Sequence, residues 1–183
     1  METKVDSKRM ERIRRRSGFV NGIDVGAAGS RGGLCLAWRK DFRVSLKTFS
    51  KNHIDVKVAE SNVQGEWRYT GFYGLPYAND QHDSWRLLRA LGQEQQLPWL
   101  VSGDFNEILY PFEKSGGQLR EERRMVAFRE ALEDCQLMDL GFQGPWFTWE
   151  RGNLPETNIR ERLDRGWLMR IGCTFSNKER FVI

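Results

Sequence analysis

Residues 97–109 read LPWLVSGDFNEIL, an apolar run that ends in a glycine, an aspartate and, two positions on, an asparagine. A strand that is apolar on both faces is typical of the interior of an α/β sheet. Such a strand brings Asp104 and Asn106 to its carboxyl edge, where clefts form in α/β proteins, and Gly103 leaves room beside them. An aspartate that polarises water or holds a cation, with an asparagine on a phosphoryl oxygen, would suit metal-assisted phosphodiester hydrolysis. An Asx-type turn that caps a loop is the alternative for the same residues.

The chain on either side of this stretch alternates strand and helix patterns. Period-two apolar alternation and turn residues predict strands, and apolar residues at helical spacing predict helices. A glycine-rich loop is expected at 26–33, and a hairpin near the end of the chain. This order indicates an α/β or α+β sandwich. The predicted strands are 19–25, 34–38, 43–49, 53–60, 66–74 and 97–102, the helices 6–16, 83–95 and 121–137, and the hairpin 145–151 with 159–168.

Length and composition indicate a single domain. The 183 residues are 39% hydrophobic, which is enough for one sizeable core. The sequence has no apolar run of membrane-spanning length and begins with a charged segment, so we expect a soluble, non-secreted protein. Three widely spaced cysteines, Cys35, Cys135 and Cys173, favour reduced thiols over a disulfide framework or a zinc site.

The formal charge of +4 is concentrated at the start of the chain. Residues 1–16 hold seven basic and three acidic residues, and the other 167 residues hold 22 of each sign. A run such as KRMERIRRR at 8–16 is most often the solvated face of a helix, and we favour that interpretation over a phosphate-binding patch.

Five stretches, taken in order, resemble the endonuclease/exonuclease/phosphatase superfamily, and specifically the apurinic-endonuclease-like domain of plant non-LTR (LINE-type) retrotransposons. The resemblance covers nearly the whole chain. It implies one DNase I-like α/β (α+β) domain over 1–183, a four-layer sandwich of two mixed β-sheets flanked by helices. It also implies nicking of a DNA phosphodiester with Mg²⁺ or Mn²⁺. The stretches are RGGLCLAW at 31–38, YTGFYGLP at 69–76, SGDFNEIL with EKSGG at 102–117, FTWERGN at 147–153 and IRERLDRGW at 159–167.

The resemblance also assigns roles to individual residues. Glu2, in the METK start, matches a glutamate that binds the catalytic metal, and otherwise it is an ordinary residue after an initiator methionine. Asp104 would position or deprotonate the nucleophile, and Asn106 and Tyr73 would fix the phosphate. Asp164 matches an aspartate that orients a catalytic histidine. A core tyrosine is the alternative for Tyr73.

Two parts of the family pattern are missing from this sequence. The chain lacks the family's first strand, with its asparagine, and the C-terminal Ser-Asp-His segment that completes the site. His53 and His82 come from other elements and do not replace that histidine. Because loss of one member of a catalytic unit commonly removes most of the rate, we expect weak or absent activity.

The predicted function is therefore a divalent-metal-dependent DNA endonuclease by descent from a retroelement. One alternative is a non-catalytic nucleic-acid-binding or cryptic product of a decayed element, and another is a phosphatase of the same superfamily. The expected partners are DNA and a reverse transcriptase domain, with no membrane and no small-molecule cofactor. The sequence does not specify a location; if the protein is expressed, we expect it in the nucleus or the cytoplasm and not among secreted proteins.

Overall fold

The computed structural model describes residues 3–28, 31–60, 65–94 and 96–169. Short 3₁₀ turns cover Ala78–Asp80 and Pro111–Glu113. The helices are α1 (Ser7–Arg16), α2 (Gln81–Gly92) and α3 (Glu122–Asp134). The strands are β1 (Asn21–Ala28), β2 (Arg31–Trp38), β3 (Phe42–Ser50), β4 (His53–Glu60), β5 (Glu66–Tyr73), β6 (Trp99–Asp104), β7 (Lys114–Ser115), β8 (Met138–Asp139), β9 (Trp149–Arg151), β10 (Ile159–Glu161) and β11 (Asp164–Met169).

A mixed sheet forms the centre of the described part of the chain. Its six strands run in the order β3-β4-β5-β6-β11-β8. Strands β5 and β6 pair in parallel, and α2 is the crossover between them. The other pairs in this sheet are antiparallel. The carboxyl ends of β5 and β6 therefore lie at the same edge.

One face of this sheet packs against α2 and α3. Trp85 of α2 stacks on Phe128 of α3, with ring centroids 4.5 Å apart. Phe105, just after β6, stacks on Phe128 at 5.4 Å and on Phe72 of β5 at 5.1 Å. Burial of these aromatic side chains removes a large apolar area from water and makes this layer the main core.

The other face of the sheet packs against the antiparallel β1–β2 hairpin. Leu34 of β2 shares an apolar cluster with Ile54, Val56 and Tyr73 of the central sheet. Helix α1 lies on the far side of the hairpin, where Arg14 bonds to Asp24. The layers are thus α2 with α3, the six-stranded sheet, the hairpin and α1, which confirms the predicted four-layer α/β sandwich.

The expected glycine-rich loop at 26–33 is wrong, because β1 continues to Ala28 and β2 begins at Arg31. The glycines allow a close approach of the preceding chain. Gly33 has a φ of +84°, and a Cβ there would lie 2.4 Å from Thr3 Oγ1. The Thr3 N–H donates to the Gly33 carbonyl at 2.9 Å, so residues before α1 pair alongside β2.

The other elements agree with the sequence patterns to within a few residues. Helix α2 runs over Gln81–Gly92, where the prediction was 83–95, and β6 extends to Asp104. Antiparallel pairing of β9 with β10 confirms a hairpin, but it is shorter than predicted, because residues 164–168 belong to β11, which pairs with β6 and β8 in the central sheet. No helix in the described ranges is long and apolar enough to cross a membrane.

Candidate active site

Three neighbouring strands bring Tyr73, Asp104 and Asp164 side by side. Tyr73 is the register partner of Asp104 in the parallel β5–β6 pair, and Asp104 is the partner of Asp164 in the antiparallel β6–β11 pair. Neighbouring strands lie about 4.8 Å apart. The phenol and the two carboxylates therefore line one edge of the sheet, at the carboxyl ends of its parallel strands.

Gly103 permits the close approach of β6 to β5 at this edge. It has a φ of +147°, and a Cβ built on it would lie 1.9 Å from the Phe72 carbonyl oxygen. Gly74, just past β5, is similarly close to Phe105, whose carbonyl oxygen would lie 2.1 Å from an added Cβ. Both glycines are therefore required by backbone packing, which explains the glycine that precedes Asp104.

Asn106 is held in a left-handed backbone conformation by three hydrogen bonds. Its φ is +53°. Its N–H donates to Asp104 Oδ1 at 2.9 Å, and its Nδ2 donates to the Gly74 carbonyl at 2.9 Å. Its own carbonyl accepts from Gln81 Nε2 at 3.2 Å. The Asx turn considered from the sequence is therefore present, and the same turn fixes Asn106 beside Asp104.

A buried network continues from Asn106 to α3. Gln81, which contacts the Asn106 carbonyl, also accepts a hydrogen bond from Arg124 Nε at 3.0 Å. Arg124 Nε donates in turn to Glu107 Oε2 at 2.9 Å, and Glu107 is 0% exposed. A buried carboxylate needs such partners. Contacts from α2 and α3 thus stabilise the turn after β6.

Asn52 clamps the backbone of Tyr73 at the end of β5. The Tyr73 N–H donates to the Asn52 carbonyl at 2.8 Å, and Asn52 Nδ2 donates to the Tyr73 carbonyl at 2.9 Å. Tyr73 is 9% exposed and belongs to the cluster with Leu34. It therefore packs as a core residue and also lies at the polar edge.

Asp164 is positioned through its backbone and its neighbours. Its N–H and the Leu163 N–H both donate to Thr148 Oγ1 at 3.0 Å. Arg162, two residues earlier, lies 4.5 Å from the ring centroids of Phe142 and Trp146. Burial of Arg162 lowers the pKa of its guanidinium. The turn into β11 is thereby held against a cluster of aromatic side chains.

Another polar pair lies one step deeper on the same face of the sheet. The Tyr69 hydroxyl and Ser102 Oγ are 2.8 Å apart. Burial raises the pKa of the Tyr69 phenol, so it is neutral at physiological pH. Because side chains alternate along a strand, Tyr69 shares its face with Tyr73, and Ser102 shares its face with Asp104.

The edge offers the ligands that a hard divalent cation prefers. Asp104 and Asp164 supply carboxylate oxygens from adjacent register positions. Mg²⁺ is commonly bound by one or two carboxylates together with water and substrate phosphates, so this pair fits such an ion. The described residues contain no group of three or more His, Cys, Asp or Glu side chains that could hold a metal. Glu2, the predicted metal ligand, lies outside the described residues.

Neither histidine belongs to this edge. The His53 ring nitrogens lie 3.0 Å from Thr48 Oγ1 and 2.8 Å from Ser50 Oγ. Ile54 faces the hairpin together with Tyr73, so His53, the preceding residue, faces the opposite side of the sheet. Burial lowers the pKa of His53. His82, the other histidine, is exposed on α2.

Sequence reasoning missed five polar residues that contact the site or lie beside it: Asn52, Gln81, Glu107, Thr148 and Ser102. Asn52 lies in a turn, Gln81 begins a helix, and Thr148 lies in a loop before β9. Each acts through a contact with a residue far away in the chain. The sequence offered a signal for Glu107 alone, because this polar residue directly follows the GDFN stretch.

The fold and the polar edge define a DNase I-like α/β sandwich with acidic and amide side chains at the carboxyl ends of its parallel strands. The chain belongs to the endonuclease/exonuclease/phosphatase family, whose model matches residues 1–165. A comparison with the curated proteins gave no match.

Several solved structures share the fold. The endonuclease domain of TRAS1, a telomere-specific non-LTR retrotransposon, is 15% identical with a TM-score of 0.57, over 80% of this chain and 65% of that chain. The human Nocturnin catalytic domain is 14% identical with a TM-score of 0.53, over 87% and 63%. A mannosyl-6-phosphatase from Bacteroides thetaiotaomicron is 17% identical with a TM-score of 0.50, over 81% and 62%. The chain thus spans under two thirds of each of these structures.

Proposed function

We propose that this protein derives from the DNA endonuclease of a retroelement of plant LINE type. In this proposal Tyr73, Asp104, Asn106 and Asp164 form a site for a divalent cation and a DNA phosphate. The observation that carries it is the alignment of Tyr73, Asp104 and Asp164 across three adjacent strands. Nuclease and phosphatase structures that share the fold support the phosphoester class.

Each described residue of the site has a role that its position supports, and Glu2 has the role that the resemblance assigns to it. Asp104 orients the attacking water and accepts its proton, while Asn106 and Tyr73 donate hydrogen bonds to phosphate oxygens. Asp104, Asp164 and Glu2 would hold Mg²⁺ or Mn²⁺, which when bound stabilises negative charge on the phosphate. Pre-organisation comes from the Asn52 clamp on Tyr73 and from the Gln81 bond to Asn106.

We propose that this chain binds DNA at the site and turns it over slowly or not at all. The sequence contains two histidines, and His53 is turned to the opposite face of the sheet while His82 is exposed on α2. Neither His53 nor His82 therefore lies beside Asp104 for proton transfer near neutral pH. This arrangement also favours the second candidate, a non-catalytic nucleic-acid-binding product of a retroelement.

The test compares DNA affinity and DNA cleavage in the same variants. Asp104→Asn removes the charge but keeps an oxygen that can accept from the Asn106 N–H. Asp134→Asn is the control, since Asp134 is an exposed residue of α3 that pairs with Arg89. Duplex affinity is measured with EDTA and with Ca²⁺, and plasmid nicking with Mg²⁺ and Mn²⁺.

We expect Ca²⁺ to increase duplex affinity for the unmodified chain and for Asp134→Asn, and to have no effect on Asp104→Asn. Nicking by the unmodified chain should be no faster than by Asp104→Asn. An affinity that ignores Ca²⁺ in all three proteins would contradict the site. Metal-dependent nicking that falls by orders of magnitude in Asp104→Asn would contradict the proposed low turnover.

A further inference from the structure

The outer side of α1 carries four exposed basic residues, Lys8, Arg9, Arg12 and Arg16, called here the basic face. With 3.6 residues per turn, their side chains fall within about 100° of the helix circumference. A shallow depression lies among Arg9, Arg12, Ile13 and Arg16. We propose that the basic face binds the phosphate backbone of nucleic acid. This inference rests on the proposed action on DNA and adds a second contact surface to it.

The basic face has few acidic partners: at the start of α1, the backbone N–H of Arg9 and, to a lesser extent, the charge of Arg12 lower the pKa of the Asp6 carboxyl. Within the described ranges, none of its four side chains has a carboxylate within 4.0 Å. Arg15, which lies seven residues after Lys8 and therefore close to it on the helix circumference, pairs with Glu11 at 2.9 Å and is not counted in the basic face. In α2 and α3, by contrast, every arginine has a carboxylate within 4.0 Å, in the pairs Arg86–Asp83, Arg89–Asp134, Arg123–Glu121, Arg124–Glu107 and Arg129–Glu122.

This arrangement of like charges is unfavourable in the free protein. Lys8 and Arg12, and Arg12 and Arg16, stand at i,i+4, and Arg9 and Arg12 stand at i,i+3. Like charges at these spacings destabilise a helix by a few tenths of a kcal/mol per pair. A bound polyanion would convert that repulsion into attraction.

A buried arginine holds the helix in one orientation and keeps the basic face outward. Arg14 is 7% exposed, and its Nε donates to Asp24 Oδ2 at 3.2 Å. Its Nη1 donates to the carbonyls of Val20 at 2.6 Å and Phe19 at 3.1 Å. Gly22 provides the space, since a Cβ there would lie 2.4 Å from Arg14 Cδ. The basic face is therefore pre-organised, which reduces the entropy cost of binding.

The charge and the length of the basic face match those of a nucleic-acid backbone. The basic face extends about 12 Å from Lys8 to Arg16, while duplex DNA carries one negative charge per about 1.7 Å of its axis. Residues outside 1–16 have balanced charges, so the positive field is concentrated at this end of the chain. An anionic membrane fits less well, because a membrane-surface helix needs an extensive apolar side, and α1 contributes only Met10 and Ile13.

The experiment measures duplex DNA affinity by fluorescence anisotropy over a series of salt concentrations, without divalent cation. The test variant is Arg9→Gln/Arg12→Gln/Arg16→Gln. The control, Arg86→Gln/Arg89→Gln/Arg123→Gln, loses the same charge from α2 and α3. Because each phosphate contact contributes about 0.9 to the slope of log K against log salt, we expect the test variant to lose about 2.7 of that slope. The control should lose less than about 1.

Further measurements distinguish failure of this inference from failure of the proposed function. Equal slope losses in the two variants would overturn the inference, since only net charge would then matter. No duplex binding by the unmodified chain would contradict the proposed function itself. The variant Arg9→Lys/Arg12→Lys/Arg16→Lys should keep the slope, and its loss would also overturn the inference. The inference would also be overturned if the test variant kept the DNA slope of the unmodified chain but lost binding to phosphatidylcholine–phosphatidylserine vesicles. That result would assign the basic face to membranes.

Discussion

Replacing Gly103 by alanine tests the packing that brings Asp104 to the sheet edge. The added Cβ would lie 1.9 Å from the Phe72 carbonyl oxygen, at a φ of +147°. Such a backbone conformation costs about 1–3 kcal/mol for a residue other than glycine. Overpacking against the backbone of β5 adds about 1–3 kcal/mol. The expected loss of unfolding free energy is therefore about 2–6 kcal/mol, a large part of the 5–15 kcal/mol of a typical domain.

Gly141→Ala is the matched control for Gly103→Ala. Gly141 has a φ of +81°, and an added Cβ would have nothing within 4 Å. Gly141→Ala should therefore lower the free energy of unfolding only through the unfavourable backbone conformation, by about 1–2 kcal/mol. Urea unfolding followed by tryptophan fluorescence gives both free energies. Losses that agree within about 0.5 kcal/mol would refute the close approach of β6 to β5, since additive errors are of that size.

Three further substitutions test the surroundings of the site. Arg68→Met should lower the free energy of unfolding by about 3–5 kcal/mol, because it leaves the buried Asp55 carboxylate, now 2.8 Å from Arg68 Nε, without its cation; Arg68→Met/Asp55→Asn should recover part of that loss in urea unfolding. The lowered pKa of His53 means that, below about pH 6.5, the unfolded chain takes up a proton that the folded chain resists, so stability should fall as pH falls. His53→Gln should flatten the dependence between pH 7 and 5 in urea unfolding, and an unchanged profile would show that other groups cause it. Asn52→Ala should lower the free energy of unfolding by about 1–3 kcal/mol, because it leaves the Tyr73 carbonyl without its side-chain donor. It should also weaken duplex affinity. A variant with unaltered stability and affinity would refute the clamp.

The sequence predicted the edge because its signals are local. An apolar strand followed by Gly-Asp-Phe-Asn, and another strand ending at Tyr73, suffice to place these residues at the carboxyl ends of neighbouring strands. The resemblance placed Asp164 in the same set. The register that puts Asp164 opposite Asp104 came from the structure.

The supporting residues could not be predicted, because their roles arise from packing between distant segments. Asn52 acts 21 positions from Tyr73, and Gln81 acts 25 positions from Asn106. Charge patterning also could not identify which arginine of the run 14–16 turns inward. Arg14 does so because Gly22 and Asp24 of β1 provide the space and the counter-charge.

Binding of Mn²⁺, followed by the EPR signal of the free ion, tests the cation site at the edge most directly. The unmodified chain, Asp104→Asn and Asp134→Asn are titrated in the presence of a short DNA duplex, with the duplex alone as the blank. We expect the unmodified chain and Asp134→Asn to bind Mn²⁺ equally. Asp104→Asn should bind at least about tenfold more weakly, since even a residue that only supports a metal ligand is worth that factor. Equal affinity in all three proteins would contradict the assignment of Asp104 to a metal-binding site.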